Sequence, residues 1–200
     1  MERPDLWEIE RSHFARGRAL ICGVDEAGAG PLAGRVYAAA VILPEGWDAP
    51  YLHDSKKVTE KRRDVLYDQI IQAAVSYAIA WADEKEIDAI NILNARMLAM
   101  ERAIQGLDRK PDLALIDGNR ATGITCPNET VVKGDGRSAS IAAASILAKV
   151  ARDRYMAEQA ELYPQYGFAQ HKGYPTKLHY ERLRQYGPSP IHRLTFLKKL

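Results

Sequence analysis

The chain has 200 residues, 46% of them hydrophobic and 27% charged, with a formal net charge of +2. That balance is ordinary for a globular protein, and the length suits one sizeable domain with an appendage. No apolar run approaches the roughly 20 residues of a membrane-spanning helix, so the reading expects no membrane association.

The N-terminus, MERPDLWEIERSHFARGRAL, carries acids and lacks a long apolar centre, so no secretory leader is expected. Residues 1–17 read as an N-terminal extension. Cys22 and Cys126 fit no metal or redox spacing, which points to a reduced, cytoplasmic protein.

ALICGV, residues 19–24, reads as a buried strand ending at the pair Asp25-Glu26. The glycine-rich turn AGAGPLAG leads into RVYAAAVIL, a second strand close enough to be an antiparallel neighbour. DSKKVTEKRRDVLYDQIIQAA predicts a helix capped by Thr59, with Val65, Leu66, Ile70 and Ile71 at helical spacing. VSYAIAWA is strand-like. Glu84 to Gln105 predicts a long helix presenting Ile90, Leu93, Met97, Met100 and Ile104 to the core on one face.

LALID and TVVK read as two further short strands. A helix then begins at the cap Ser138, and its small residues Ala142 to Ser145 let it lie close against a sheet. A turn-rich aromatic and basic segment, YPQYGFAQHKGYPT, precedes a helical pattern from Lys177 to Tyr186. The architecture is therefore a mixed α/β sheet domain over 18–165 with a small helical segment over 166–200.

Four acids sit where an apolar run meets small residues: Asp25, Glu26, Asp117 in LALIDGN and Asp135 in VVKGDGRSAS. Carboxylates crowded at one sheet edge repel one another unless cations neutralise them. Oxygen-only ligands suit Mg²⁺ or Mn²⁺, and two such ions serve in-line displacement at phosphorus. A lone Asp-Glu pair is usually surface decoration, but an apolar strand before this one and Gly28 and Gly30 after it argue otherwise. Those glycines let the main chain approach a substrate and present its N–H groups. From His171 to the C-terminus seven Lys/Arg face one acid, a charge of +6 that leaves −4 for the rest. A solvated basic helix explains this as well as a phosphate-binding flank does.

Lys56 and Lys57 stand before a helix start within reach of a phosphate, although charged loops are common. His171, Lys172 and Tyr174 surround a glycine, where an aromatic ring can stack on a sugar or base. Asp153 lies a full helix from Asp135, so an ion pair within its helix is the simpler reading.

VDEAGAGPLAG, DSKKVTEKRR, NILNARMLAMERAIQGL, LIDGN, VVKGD, SIAAASILAKVARD and YPQYGFAQHKGYPT occur in this order. Together they resemble bacterial ribonuclease HII, the type 2 ribonuclease H family, over roughly residues 18 to 197. The resemblance implies an RNase H-like five-stranded mixed sheet flanked by helices, with a helical C-terminal segment covering the substrate groove. It implies a monomeric endonuclease that cuts the RNA strand of RNA–DNA hybrids and cuts 5′ to ribonucleotides embedded in duplex DNA. The products would carry a 3′-hydroxyl and a 5′-phosphate. Matched by motif, the catalytic metal ligands are Asp25, Glu26, Asp117 and Asp135, and Asp153 is not among them.

The resemblance also implies that main-chain amides of a Gly-Arg-Gly turn detect the 2′-hydroxyl, that Lys56, Lys57 and Lys172 belong to the substrate surface, and that Tyr174 packs on a deoxyribose. Here the turn is Gly28-Ala29-Gly30, which keeps the amides and loses a guanidinium, with Arg35 a candidate to compensate. The rival readings are a hybrid-binding protein disabled by Ala29 and another nuclease of the broad superfamily, such as a junction resolvase.

Overall fold

A computed structural model describes residues 5–52 and 58–198. Its apolar runs pair into one five-stranded sheet: β1 (Ile21–Ala27), β2 (Val36–Ile42), β3 (Ser76–Ala82), β4 (Leu113–Asp117) and β5 (Asn128–Val131). The strand order is β3-β2-β1-β4-β5. The short link between β1 and β2 makes them antiparallel, and β3 joins β2 in the same sense. β4 runs parallel to β1, and β5 parallel to β4, after longer crossovers. This is the mixed five-stranded sheet expected from the sequence.

Among the described residues six α-helices surround it: α1 (Glu8–Phe14), α2 (Glu60–Ala73), α3 (Glu84–Gln105), α4 (Ala139–Leu162), α5 (Phe168–His171) and α6 (Lys177–Tyr186). β2 is buried along its whole length because it is covered on both faces. Ala39 and Val41 pack with α4 and α2, whereas Ala38, Ala40 and Ile42 pack with α3. Burying a side chain such as Ile116, Ile146 or Met100 contributes about 1.5–3 kcal/mol. The α4 axis lies directly on β1. A Cβ at Gly23 would stand 2.1 Å from the Ile141 main-chain nitrogen, so a hydrogen there is what permits the contact.

Both expected caps form. Thr59 accepts from the Arg62 amide at the start of α2, and Ser138 from the Ile141 amide at the start of α4. A contact invisible in the sequence adds to the second. Glu10, buried on α1, accepts from the Ser138 hydroxyl at 2.7 Å and from the Ser140 amide at 3.1 Å. The N-terminal extension thus closes the α4 start with a carboxylate, where the helix dipole favours one.

Three expectations need correction. β1 does not end at the acid pair: it runs on through Asp25 and Glu26 because β2 continues to pair with it, to Ala27 opposite Tyr37. The last strand is Asn128–Val131, shifted toward the N-terminus from TVVK. The α3 stripe is broken, with Ile90 and Leu93 at 38% and 47% exposure while Met97, Met100 and Ile104 are buried. Asn91 adopts φ +66°, which rotates the first half of the helix out of phase with the second. The Asn91 side chain accepts from the Leu93 and Asn94 amides across that break.

Beyond α4, the chain folds back over the C-terminal end of β1. The Leu32 amide donates to the Gly173 carbonyl and the Gly34 amide to the Ile191 carbonyl, both at 2.8 Å. Ala33 and His192 form an isolated antiparallel bridge.

Candidate active site

The position of the acids follows from where pairing stops. β1 pairs with β4 only as far as Val24 opposite Ile116, yet with β2 as far as Ala27. Asp25 and Glu26 therefore stand just past the last β1–β4 rung, beside Asp117, the final residue of β4. Crevices at the carboxyl ends of parallel strands are the usual ligand sites of such sheets. Strand alternation sends Asp25 toward α4 and Glu26 toward α3.

Asp25 accepts from the Glu26 amide at 2.7 Å and from the Ser145 hydroxyl on α4. Burial first, and then the charges of Glu26 and Asp117, hold its carboxyl well above the usual carboxylate range. Glu26 pairs through Oε1 with Arg96 Nη2 of α3 at 2.9 Å, while its Oε2 is buried without a partner. Burial raises the Glu26 pKa, and Arg96 opposes the rise. Asp117 Oδ1 accepts from the Gly134 amide at 2.7 Å.

These three acids open onto a cavity of about 420 Å³. Gly28, Ala29 and Gly30 form one wall, and Arg63, Lys149 and Arg152 supply basic groups around it. Tyr174 closes one side at 43% exposure, with its Cε1 3.8 Å from where a Cβ on Gly30 would sit. Gly28 takes φ +98°, and a Cβ there would meet the Arg152 side chain at 2.1 Å, so the turn needs glycine at that point. Arg152 is fully buried. Its Nη2 donates to the Lys172 carbonyl at 2.9 Å, but its Nε and Nη1 lack partners.

Among the described residues, other sequence-derived candidates fall outside the cavity wall. Asp135 occupies the 3₁₀ turn Gly134–Gly136, which is tied to Asp117 through the Gly134 amide, and its side chain does not line the cavity. Lys172 is half-buried with φ +49°, and its contact with the site runs through its carbonyl. Lys56 and Lys57 lie outside the described residues. Arg35 is engaged elsewhere, its guanidinium stacked 4.9 Å from the Trp81 ring centre and 4.7 Å from that of Tyr155. Asp153 pairs with Lys149 at 2.6 Å one helical turn back and with Arg63 at 4.0 Å.

The sequence reading overlooked Arg63, Arg96, Ser145, Lys149 and Arg152. Ser145, Lys149 and Arg152 follow a four-then-three spacing that puts them on one helical face, a signal that was there to be read. Arg96 carries no such signal, because its role depends on α3 crossing the sheet beside Glu26.

Behind Tyr174 lies a chain of three buried histidines. His192 Nδ1 accepts from the Ser189 amide at 2.8 Å, which leaves its Nε2 to donate to His179 Nε2 at 2.9 Å. His179 Nδ1 then donates to the Tyr174 carbonyl at 3.0 Å. His171, stacked 4.3 Å from His179, accepts from the Gly173 amide through Nδ1 and donates to the Tyr166 carbonyl through Nε2. Each ring is satisfied in its neutral form. Burial pushes His179 and His192 each down to about 4.

The donor chemistry of the acids suits a hard divalent cation: the groups are all oxygen, largely buried, and in Glu26 partly unpaired. Among the described residues no three His, Cys, Asp or Glu side chains close around one cation position. Arg96 supplies the nearest positive charge to Glu26.

The sequence pattern of the family Ribonuclease HII matches residues 22–199. A protein called ribonuclease HII from Endomicrobium trichonymphae is 51% identical over 193 residues, covering 96% of this chain and 92% of its own. The crystal structure of ribonuclease H2 from Pyrococcus horikoshii OT3 superposes with a TM-score of 0.71 at 26% identity, covering 88% of this chain and 93% of that one. Bst-RNase HIII, solved in complex with Mn²⁺, shares the fold with a TM-score of 0.62 at 16% identity, over 84% of this chain and 63% of that one.

Proposed function

Since the chain belongs to the ribonuclease HII family and is an enzyme of the ribonuclease H class, we propose that it hydrolyses the RNA strand of RNA–DNA hybrids. On the same reading it cuts 5′ to single ribonucleotides within duplex DNA. The observation that carries this is a shared cavity. Three carboxylates at the end of the β1–β4 seam face a glycine turn, a tyrosine and three basic side chains across about 420 Å³.

Asp25, Glu26 and Asp117, joined by Asp135, are the residues that would hold Mg²⁺ or Mn²⁺. When bound, a pair of such ions supplies a water of lowered pKa and offsets charge on the departing 3′ oxygen. The rest is done by the chain. Arg63, Lys149 and Arg152 replace the counterions of the phosphate backbone. Main-chain amides of Gly28–Gly30 meet the 2′-hydroxyl, the group that separates RNA from DNA. Tyr174 lies against the neighbouring sugar. The family's turn arginine is Ala29 in this reading, so one phosphate contact falls to the basic groups on α2 and α4. A protein that only bound hybrids would gain nothing from a buried, mutually repelling acid cluster, which favours the catalytic reading.

The protein acts as a cytoplasmic monomer in this proposal, consistent with its two unpaired cysteines. No helix among the described residues is long and apolar enough to cross a membrane. Residues 18–165 carry the acids and residues 166–200 cover the substrate. The test is Mg²⁺-dependent cleavage of duplex DNA bearing one ribonucleotide, beside an all-DNA duplex. Cutting on the 5′ side of the ribonucleotide supports the reading, and equal cutting of both duplexes, or of neither, overturns it.

A further inference from the structure

Arg193 is fully buried, and its guanidinium donates four hydrogen bonds to one short stretch of main chain. Nε meets the Gly34 carbonyl at 2.8 Å, and Nη1 meets those of Ala29 at 3.1 Å and Pro31 at 2.8 Å. Nη2 meets the Gly28 carbonyl at 2.7 Å. All four acceptors belong to the turn that follows β1, up to 165 residues away in sequence. The Phe196 ring packs beneath the guanidinium, 5.3 Å from its carbon.

A trans peptide carries its C=O and the following N–H on opposite sides, and no peptide bond among the described residues is cis. Drawing the carbonyls of Gly28 and Ala29 toward Arg193 therefore turns the amides of Ala29 and Gly30 away from it. The opposite side is the cavity that these residues line. Pro31 provides an internal check. Its carbonyl faces Arg193, and the next amide, Leu32, points away to the Gly173 carbonyl at 2.8 Å. Among the described residues the amides of Ala29 and Gly30 find no main-chain acceptor.

We propose that Arg193 is the positioning residue that aims the Ala29 and Gly30 amides into the cavity and so sets recognition of the 2′-hydroxyl, without itself touching substrate. The inference rests on the function proposed above. It explains why the turn can keep its shape with alanine at position 29: the shape is imposed from behind, by carbonyls, and no side chain of the turn is required. It also explains the residue type. Four acceptors around one plane match the planar fork of arginine, and the single nitrogen of lysine cannot reach them together.

The test compares wild type with Arg193→Lys in the full-length protein. Cleavage of a duplex with one ribonucleotide is measured with Mg²⁺. Binding to that duplex and to an all-DNA duplex of the same sequence is measured with Ca²⁺ in place of Mg²⁺. Two misdirected hydrogen bonds correspond to about a tenfold loss or more. The expected result is that loss on the ribonucleotide duplex, with all-DNA binding and Mn²⁺ binding by calorimetry unchanged. Equal losses on both duplexes, or preserved preference for the ribonucleotide in a folded variant, overturn the inference. Failure of wild type to cut the ribonucleotide duplex would instead overturn the proposed function.

A second measurement holds even if the variant does not fold. In the wild-type protein, the ¹⁵N–¹H signals of Ala29 and Gly30 should shift differently with the ribonucleotide duplex than with the all-DNA duplex. Indistinguishable shifts would show that these amides do not read the sugar.

Discussion

Two buried polar clusters lie on either side of the glycine turn, and they handle charge in opposite ways. At the end of the β1–β4 seam, Asp25, Glu26 and Asp117 crowd together, and Glu26 keeps a buried oxygen without a partner. In the closing segment, His171, His179 and His192 are equally buried, yet each ring nitrogen has a partner and the three stay neutral. Unmatched buried charge is costly and persists where a ligand completes it; a fully matched polar network holds geometry. On the proposed function, the contrast separates the part of this protein that reacts from the part that positions.

The largest effect that would break this distinction is Asp117→Asn. The amide retains the oxygen that accepts from Gly134 but removes one charge from the cluster. Hybrid cleavage should fall about a thousandfold or more, while the melting temperature stays equal or rises as repulsion is relieved. Assays of kcat beside thermal melts check both halves. Substantial remaining activity would show that the acids are structural. Asp153→Asn, which disrupts only the pairs with Lys149 and Arg63, should retain metal-dependent cleavage with some loss of stability.

Acid should next reveal the histidines. His179 and His192 titrate near 4 in the folded protein and near 6.5 when unfolded. As pH falls below about 6.5 the unfolded chain takes up protons first, so stability present at neutral pH is lost toward pH 4. Each ring contributes up to about 3 kcal/mol to that loss. Urea melts at several pH values measure it, and His179→Gln should flatten the slope. Metal-free Asp25, whose pKa is raised, pulls the other way, since its protonated form suits the fold.

A smaller gain is expected from Ala29→Arg. A guanidinium on the cavity wall adds a charge-assisted phosphate contact of about 1.5–3 kcal/mol, or one to two decades in kcat/KM. The gain should shrink as salt is raised. No gain at low salt would mean that Arg63, Lys149 or Arg152 already holds that phosphate. Smallest is Tyr174→Ala, expected to cost about tenfold more at a single embedded ribonucleotide than along continuous RNA, because only the former places a deoxyribose at the ring. Equal losses on both substrates would make Tyr174 part of the scaffold alone.

Local chemistry made much of this legible in the sequence. The capping hydroxyls of Thr59 and Ser138, the continuous apolar run of β2 and the short apolar runs before the acids are signals carried by neighbouring residues. Ile90 and Leu93 were misplaced because helical spacing assumes an unbroken helix, and Asn91 alone shifts the phase. Arg96, Glu10 and Arg193 were out of reach for a different reason. Each acts on groups brought near by the sheet crossovers, and no spacing along the chain encodes that meeting.

Arg193 also bears on the order of synthesis. Domains generally form as the chain emerges, N-terminal portions first. The glycine turn emerges early, but the side chain that gathers its carbonyls arrives near the end of the 200-residue chain. Until that segment docks, the four carbonyls of the turn lack the donor that gathers them, and on the proposed function the acids beside it have no means of reading the sugar. On that reading, recognition of the sugar is among the last properties this chain acquires as it folds.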